Sequence, residues 1–431
     1  MNIMQKRNKN SQATPDREHG VVIGIDVSKR SMVFGAFRPD EHSDRHIVKQ
    51  DIEGLNELKN MIKDLKEQGY EPWVAFEPTG PYSTCLREWL VSNEYDAIQV
   101  NPYHVKRTKE VRDNSPQKDD FKDPSVIADL VWNGCYNEIV SLSGTYAELR
   151  AASIEWASLT KTRTATRNEI QGLLEVWFPE ITEIFKDAVC KSVRGIIKKY
   201  PTVKALSRAR LSSVESALKK ATSGRGGRRA ESILAAAKNS VAPECGQLAR
   251  SNALKGKLDI LDAVEKRQEC LLNEIKQYLT KLPESQYMMS IPGIGPITVG
   301  GLLGECGNIG KFKTYEQLEK FLGLNLYEVS SGKHKGKRHI SKRGRALARY
   351  VICHIALMMT KSGCIFAGEA EEMRSKGKKT GEIRVAIARK LLKVLYAIAR
   401  DHEVFDEQLY FTGQRTEHGQ LIQQGTQAHA A

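Results

Sequence analysis

The stretch Val21-Val-Ile-Gly-Ile-Asp26 decides how the chain is read. It is an apolar run with no polar alternation, closed by an acid, which marks a strand buried on both faces. Met32-Val-Phe-Gly-Ala-Phe37 reads as its hairpin neighbour. Leu55, Leu58, Ile62 and Leu65 then recur at helical spacing. Trp73-Val-Ala-Phe-Glu77 is a second short strand ending in an acid, followed by a turn at Pro78-Thr-Gly-Pro81, a helix over residues 86–91 and the strand Ala97-Ile-Gln-Val100. Strands alternating with helices predict an α/β domain over residues 20–143. A polar segment, 1–19, precedes it and is expected to be flexible.

Outward from this domain the pattern changes. Residues 144–286 read as all-helical. Leu261, Val264, Gln268, Leu271, Ile275, Tyr278 and Leu282 stand at alternating three- and four-residue steps, a heptad seam that suits either a helix packed in a bundle or a dimeric coiled coil. Residues 191–229 hold twelve Lys and Arg against one acid, Glu215, and include Ser223-Gly-Arg-Gly-Gly-Arg-Arg229. A solvated helical face mixes its signs, so this stretch is expected to meet nucleic acid through residues such as Arg225, Arg228 and Arg229. Residues 287–402 form a mostly helical third region, opening on Ile291-Pro-Gly-Ile-Gly-Pro296 and ending in two helices near 346–360 and 383–399. The remainder, 403–431, is polar, Gln-rich and expected to be mobile.

The chain has 431 residues, enough for two or three domains, and is basic: 66 Lys and Arg against 52 Asp and Glu, for a net charge of +14. Each cation that neutralises a phosphate releases a condensed counterion, so the excess favours a polyanionic partner. No apolar run approaches a membrane span, and the N-terminus lacks the apolar core of a secretory signal. The eight cysteines, Cys85, Cys135, Cys190, Cys245, Cys270, Cys306, Cys353 and Cys364, form no CxxC pair and read as free thiols in a reducing cytoplasm.

Four acids carry the candidate chemistry. Asp26 and Glu77 close their strands, where α/β folds place their sites. Asp120 and Asp123, three apart at the start of a helix, face one side. Carboxylates drawn together require cations between them, and oxygen-only ligands select Mg²⁺ or Mn²⁺. Such ions can clamp the oxygens of a phosphoryl displacement. The same residues would also serve as helix-capping acids and a turn. Two glycines, Gly293 and Gly295, before a helix expose backbone N–H groups able to hold a phosphate, as in a helix-hairpin-helix module, though a plain interhelical turn has the same sequence. Ser330-Ser331-Gly332 opens a stretch, 333–349, with eight Lys and Arg and no acid. Its Lys333, Lys335, Lys337, Arg338, Lys342 and Arg343 are candidate nucleic-acid contacts. The serines are expected on a flexible loop, and the local sequence alone fits a simple Ser/Gly turn beside a binding patch.

Taken in order, these motifs resemble the DEDD transposases of bacterial insertion sequences, the bridge-RNA-guided serine recombinases whose relatives include the pilin-gene invertases. The resemblance rests on Ile25-Asp26-Val-Ser-Lys29, Phe76-Glu77-Pro-Thr-Gly80, Asn101-Pro102, Lys118-Asp-Asp-Phe-Lys-Asp123, Ser290-Ile-Pro-Gly-Ile-Gly295, Phe321-Leu-Gly-Leu324, Ser331-Gly332 and Ile340-Ser-Lys-Arg-Gly344. It implies a RuvC-like, RNase H-type α/β domain, a helical coiled-coil arm and a small helical transposase domain. It further implies a composite site, in which Asp26, Glu77, Asp120 and Asp123 hold Mg²⁺ beside Ser331 as nucleophile, and a structured RNA that guides the choice of DNA. The sequence departs from the family in three places. The middle region is longer, Leu326 replaces the usual proline after the Gly-Leu step, and Asp119 precedes the aspartate pair.

The expected protein is a Mg²⁺-dependent, RNA-guided DNA recombinase, a homodimer assembling to a tetramer in the bacterial cytoplasm and on the nucleoid when active. One alternative is a RuvC-like junction nuclease that uses water and dispenses with Ser331. The other is a domesticated nucleic-acid-binding protein without activity, against which four intact acids argue, because clustered negative charge repels phosphate.

Overall fold

The computed structural model describes residues 14–39, 45–78, 80–112, 123–139, 142–328, 330–331, 334–336, 338–407 and 410. The chain divides into two compact units, 1–141 and 142–431.

The first unit is a six-stranded sheet with helices on both faces. Its strands are β1 (Gly20–Val27), β2 (Ser31–Phe37), β3 (His46–Lys49), β4 (Glu71–Phe76), β5 (Ala97–Gln99) and β6 (Asn137–Glu138), in the order β3-β2-β1-β4-β5-β6. β1 pairs antiparallel with β2 and parallel with β4, so it is central, and this explains its unbroken apolar run. Side chains alternate between faces along a strand. Val21, Ile23, Ile25 and Val27 enter one core with α1 (Ile52–Glu67) and α2 (Tyr82–Ser92), through Leu58, Ile62, Leu86 and Leu90. Val22, with Trp73 and Ala75 of β4, enters the other core with Val126, Ile127, Leu130 and Val131. Those four belong to α4 (Asp123–Trp132), which follows α3 (Pro102–Arg112).

Gly24 sets the height of α4 above the sheet. A Cβ at this position would lie 2.0 Å from the carbonyl oxygen of Pro124. Only a residue without a side chain lets the helix start rest on β1.

The second unit is built on two antiparallel helices of 33 residues each, α5 (Thr145–Trp177) and the later α11 (Gln247–Leu279). Arg267 pairs with Glu155, Gln268 with Thr160 and Lys257 with Glu169, so numbering runs up one helix and down the other. Leu261, Val264, Gln268, Leu271 and Ile275 of the seam are buried. Near the end Leu279 takes the buried place expected for Tyr278, which is half-buried. The seam therefore packs within the chain, as in a bundle.

Between the two long helices stand α6 (Ile181–Ile184), α7 (Lys191–Lys199), α8 (Val203–Ser207), α9 (Leu211–Ala221) and α10 (Ala230–Lys238). They share a core with the distal ends of α5 and α11, including Trp177, Phe178, Ile196, Leu218, Ile233, Leu254 and Leu258. The long middle region is thus a helical body with its own core. At the other end, α12 (Pro283–Met289), α13 (Pro296–Cys306), α14 (Tyr315–Leu322), α15 (Ala346–Met358) and α16 (Ala367–Ser375) join α17 (Thr380–Asp401) in a further core. Ion pairs or hydrogen bonds satisfy four buried acids here: Glu284 by Tyr146, Glu305 by Arg150, Glu319 by Arg389, and Glu369 by Lys390 and Tyr410. Tyr410 falls in the segment expected to be mobile, yet its ring is buried against Phe366 and its hydroxyl donates to Glu369 Oε1 at 2.8 Å. The aromatic ring and the buried acid outweigh the polar composition around it.

Gly24→Ala is expected to cost about 1–3 kcal/mol of stability, because the methyl group meets backbone rather than a movable side chain. Urea denaturation of the variant against wild type measures it.

Candidate active site and nucleic-acid surfaces

Ile25 of β1 and Phe76 of β4 are register partners and point into the α1/α2 core. The residues that follow them, Asp26 and Glu77, therefore start from adjacent strand ends and turn to the opposite face, the one covered by α4. Asp123 is the first residue of α4. Its neighbour Pro124 rests on Gly24, two residues before Asp26 and on the same face. The helix start is thereby fixed beside the two strand ends.

The electrostatics report this convergence. Burial raises the Glu77 carboxyl above its ordinary value; nearby Lys109 pulls it down, and Asp26 and Asp123 push it up. Lys109, on α3, forms an ion pair with Asp123 through Nζ and Oδ1. Asp120 lies outside the described residues. Among the described residues no group of three His, Cys, Asp or Glu side chains is drawn tightly enough to hold a metal. The donor set still suits a hard cation: it is all oxygen, partly buried, and already draws a lysine ammonium to itself. Lys109 escaped the sequence reading because it lies 14 residues before Asp123, on a helix whose other cations gave no reason to single it out.

Ser331 lies on a β-hairpin rather than the flexible loop expected. β7 (Leu326–Tyr327) pairs with β10 (His339–Ile340), and inside them β8 (Ser330–Ser331) pairs with β9 (His334–Lys335), with Ser331 opposite His334. Backbone ladder bonds thus order the Ser-Ser step that composition alone marks as a turn. Gly332, Lys333 and Lys337 lie outside the described residues, and for Ser331 and Lys335 the description is of the backbone. Arg338 pairs with Glu328 at 3.1 Å.

The hairpin stands on a backbone clasp. Lys342 N–H donates to Gly323 O, Ser341 N–H to Asn325 O and Arg345 N–H to Phe321 O, each at 3.0 Å. Lys342 has φ 54°, Gly323 φ 71°. A Cβ on Gly344 would fall 2.3 Å from Phe321 O. Phe321-Leu-Gly-Leu324 and Ile340-Ser-Lys-Arg-Gly344 are therefore two halves of one contact at the base of the serine hairpin. Ile291-Pro-Gly-Ile-Gly-Pro296 joins α12 to α13 as a tight turn, with Gly293 at φ 88° and Gly295 capping α13. Ile291 and Ile294 anchor it in the core.

The basic stretch 191–229 is less uncompensated than its sequence. Arg194 bonds Asp262 and Glu265, Lys198 bonds Asp262 and Lys204 bonds Glu244. These acids come from beyond the stretch, so the local charge count could not see them. Arg229 donates to Ile184 O and lies over the Phe185 ring at 4.8 Å, a packing role. Arg225 and Arg228, with Lys219 and Glu215, line an open cleft of about 710 Å³.

A group of carboxylates on a sheet, joined in one chain to a basic helical unit, fits an enzyme that works on nucleic acid. Residues 23–179 match the IS110 DEDD transposase family, and residues 285–364 match the transposase family IS116/IS110/IS902. The chain belongs to this family of insertion-element transposases and is an enzyme of DNA cleavage and rejoining. It is 26% identical over 304 residues to the uncharacterized protein of insertion element IS110 from Streptomyces coelicolor, covering 68% of this chain and 73% of that one. It is 22% identical over 401 residues to the IS116 protein of Streptomyces clavuligerus, covering 90% and 97%. A pilin gene-inverting protein of Moraxella lacunata is 30% identical over 144 residues, covering 32% and 45%. The helices α7 to α10 lie between the two family matches. Among the described residues no helix is long and apolar enough to cross a membrane.

Because the Glu77 carboxyl is raised above 4.5, its ionised form is disfavoured in the folded chain. Its contribution to stability falls as pH rises from about the ordinary value through the raised one, then levels off. Glu77→Gln removes that loss. In metal-free buffer the variant should melt higher than wild type at pH 8, with the difference shrinking towards pH 4.5. A calorimetric pH series checks this. Arg225→Gln with Arg228→Gln should flatten the slope of log affinity for nucleic acid against log salt by about 2, near one unit per lost phosphate contact; filter binding across a salt series measures the slope.

Proposed function

We propose that this transposase cuts and rejoins DNA through a composite site: Asp26, Glu77, Asp120 and Asp123 hold Mg²⁺ or Mn²⁺, and Ser331 is the covalent nucleophile. The single observation that carries the reading is the seating of α4 on Gly24, which delivers Asp123 to the strand ends bearing Asp26 and Glu77. The strand order, with an antiparallel β1–β3 meander extended by parallel β4 and β5, supports an RNase H-type, RuvC-like domain. A bound divalent ion would stabilise negative charge developing on phosphate oxygens.

The protein's own part is an exchange of esters. Ser331 Oγ bonds to phosphorus as one backbone P–O bond breaks; the serine gives up its proton and the displaced strand oxygen gains one. A hydroxyl of a second strand then attacks the phosphoserine, rejoins the DNA and restores the serine. No bond energy is lost to water, which is what distinguishes recombination from hydrolysis. The clasp beneath the hairpin supports this role, since a nucleophile must be presented from a fixed base. The open cleft lined by Arg225 and Arg228 supports nucleic-acid binding, in keeping with guidance by a structured RNA. Carboxylates and serine on separate units suit assembly of a dimer and tetramer on DNA.

With a nicked suicide substrate, wild type should accumulate a protein–DNA adduct mapping to Ser331. Ser331→Ala should lose the adduct and strand exchange yet still bind nucleic acid, and Ser330→Ala should keep the adduct. Asp26→Ala, Glu77→Ala and Asp123→Ala should each slow strand exchange by roughly ten-thousand-fold. Cleavage by Ser331→Ala without an adduct would instead identify a water-using nuclease.

A further inference from the structure

Lys109 reaches into the carboxylate cluster from a neighbouring helix. It comes from α3, yet its ammonium binds the carboxylate of Asp123 at the head of α4, and it acts on Glu77 as well. Lys109 is about one-third exposed and Asp123 less, at 37% and 18%, so the pair is partly withdrawn from water. The acids crowded here repel one another, and the attraction of a cation strengthens as water is excluded. Among the described residues Lys109 is the cation that pulls the Glu77 carboxyl down, against the push from Asp26 and Asp123.

A dication and an ammonium compete for Asp123 at close range. Two positive charges a few ångströms apart in a partly buried site repel by kilocalories rather than tenths. Lys109 occupies Oδ1 of Asp123, so a metal ion that takes that oxygen displaces it. We propose that Lys109 is a resident counter-cation that holds the carboxylate cluster together before metal loading and is exchanged for the divalent ion. This rests on the reading of Asp26, Glu77 and Asp123 as metal ligands, and it adds a role for a residue that is not itself a ligand. The exchange would keep the acids assembled without metal and would make loading a competition, weakening metal affinity below what the carboxylates alone would give. A lysine suits this work better than an arginine would suit a one-to-one exchange: it is a compact point charge on a flexible stem, able to swing away.

The test is Mn²⁺ binding by the full chain, read from the free-ion electron paramagnetic resonance signal, in wild type, Lys109→Met, Lys109→Arg and Asp123→Asn. Lys109→Met should bind Mn²⁺ roughly tenfold tighter than wild type, because a competitor is gone. Lys109→Arg should stay near or below wild type, and Asp123→Asn should bind more weakly. If Asp123→Asn weakens binding but Lys109→Met leaves it equal or weaker, Lys109 is a scaffold pair; the exchange is wrong and the metal reading stands. If wild type and Asp123→Asn bind alike, both readings fail. A second measurement needs no variant: acylation of lysines in wild type with and without Mg²⁺, followed by peptide mapping. Labelling of Lys109 should rise severalfold when Mg²⁺ is added while other lysines stay constant. Unchanged labelling of Lys109 in saturating Mg²⁺ overturns the proposal.

Discussion

Helix α4 begins on top of Gly24, and the first unit depends on that contact. The central strand is apolar on both faces because helices cover both. On one face the cover must come close enough for its first residue, Asp123, to reach the strand ends. A single Cβ on β1 would hold the helix away, since its nearest neighbour would be a backbone oxygen that cannot swing aside. The opposing residue on β4 is Ala75, small as well. A packing constraint two residues from Asp26 thus sets the geometry of the acids. Burial raises the Glu77 carboxyl first, the Lys109 ammonium pulls it back, and the repulsion of Asp26 and Asp123 adds to the rise.

The second unit solves a different problem, that of joining two bodies along one chain. α5 and α11 share apolar cores at both ends, but their middle carries a polar joint, Gln268 to Thr160 at 3.0 Å, flanked by Arg267 on Glu155. Such a joint fixes register, because a shift would leave the buried amide of Gln268 without its partner. At one end the pair supports the helices around α17 and the serine hairpin. At the other it supports the body formed by α7 to α10. The hairpin itself owes its placement to Gly323 and Gly344, where backbone meets backbone with no room for side chains.

Much of this was legible in the residues. Asp26 and Glu77 could be placed at strand ends because apolar runs without alternation have few other homes, and the heptad seam in α11 announced a packed face. The rest was hidden for identifiable reasons. Whether the seam paired within the chain or with a second copy depended on α5, whose middle is polar and shows no matching seam. The compensation of Arg194, Lys198 and Lys204 came from Asp262, Glu265 and Glu244, distant in sequence. Lys109 became visible only when the fold brought α3 beside α4. The order of the Ser330-Ser331 step comes from ladder bonds to His334 and Lys335, which Ser/Gly composition argues against. Tyr410 looked like part of a polar tail because its partners, Glu369 and Phe366, lie about forty residues away.

The central claim is that Asp26, Glu77 and Asp123 form one divalent-metal site built by the approach of α4 to β1. The most direct measurement is a crystal structure of the full chain grown with Mn²⁺, with anomalous differences recorded at the manganese edge. The account predicts an anomalous peak bounded by carboxylate oxygens of Asp26, Glu77 and Asp123, at oxygen-ligand distances of about 2.2 Å, with Pro124 still seated on Gly24. A manganese peak elsewhere in the molecule, with these three carboxylates unliganded at saturating Mn²⁺, would contradict it.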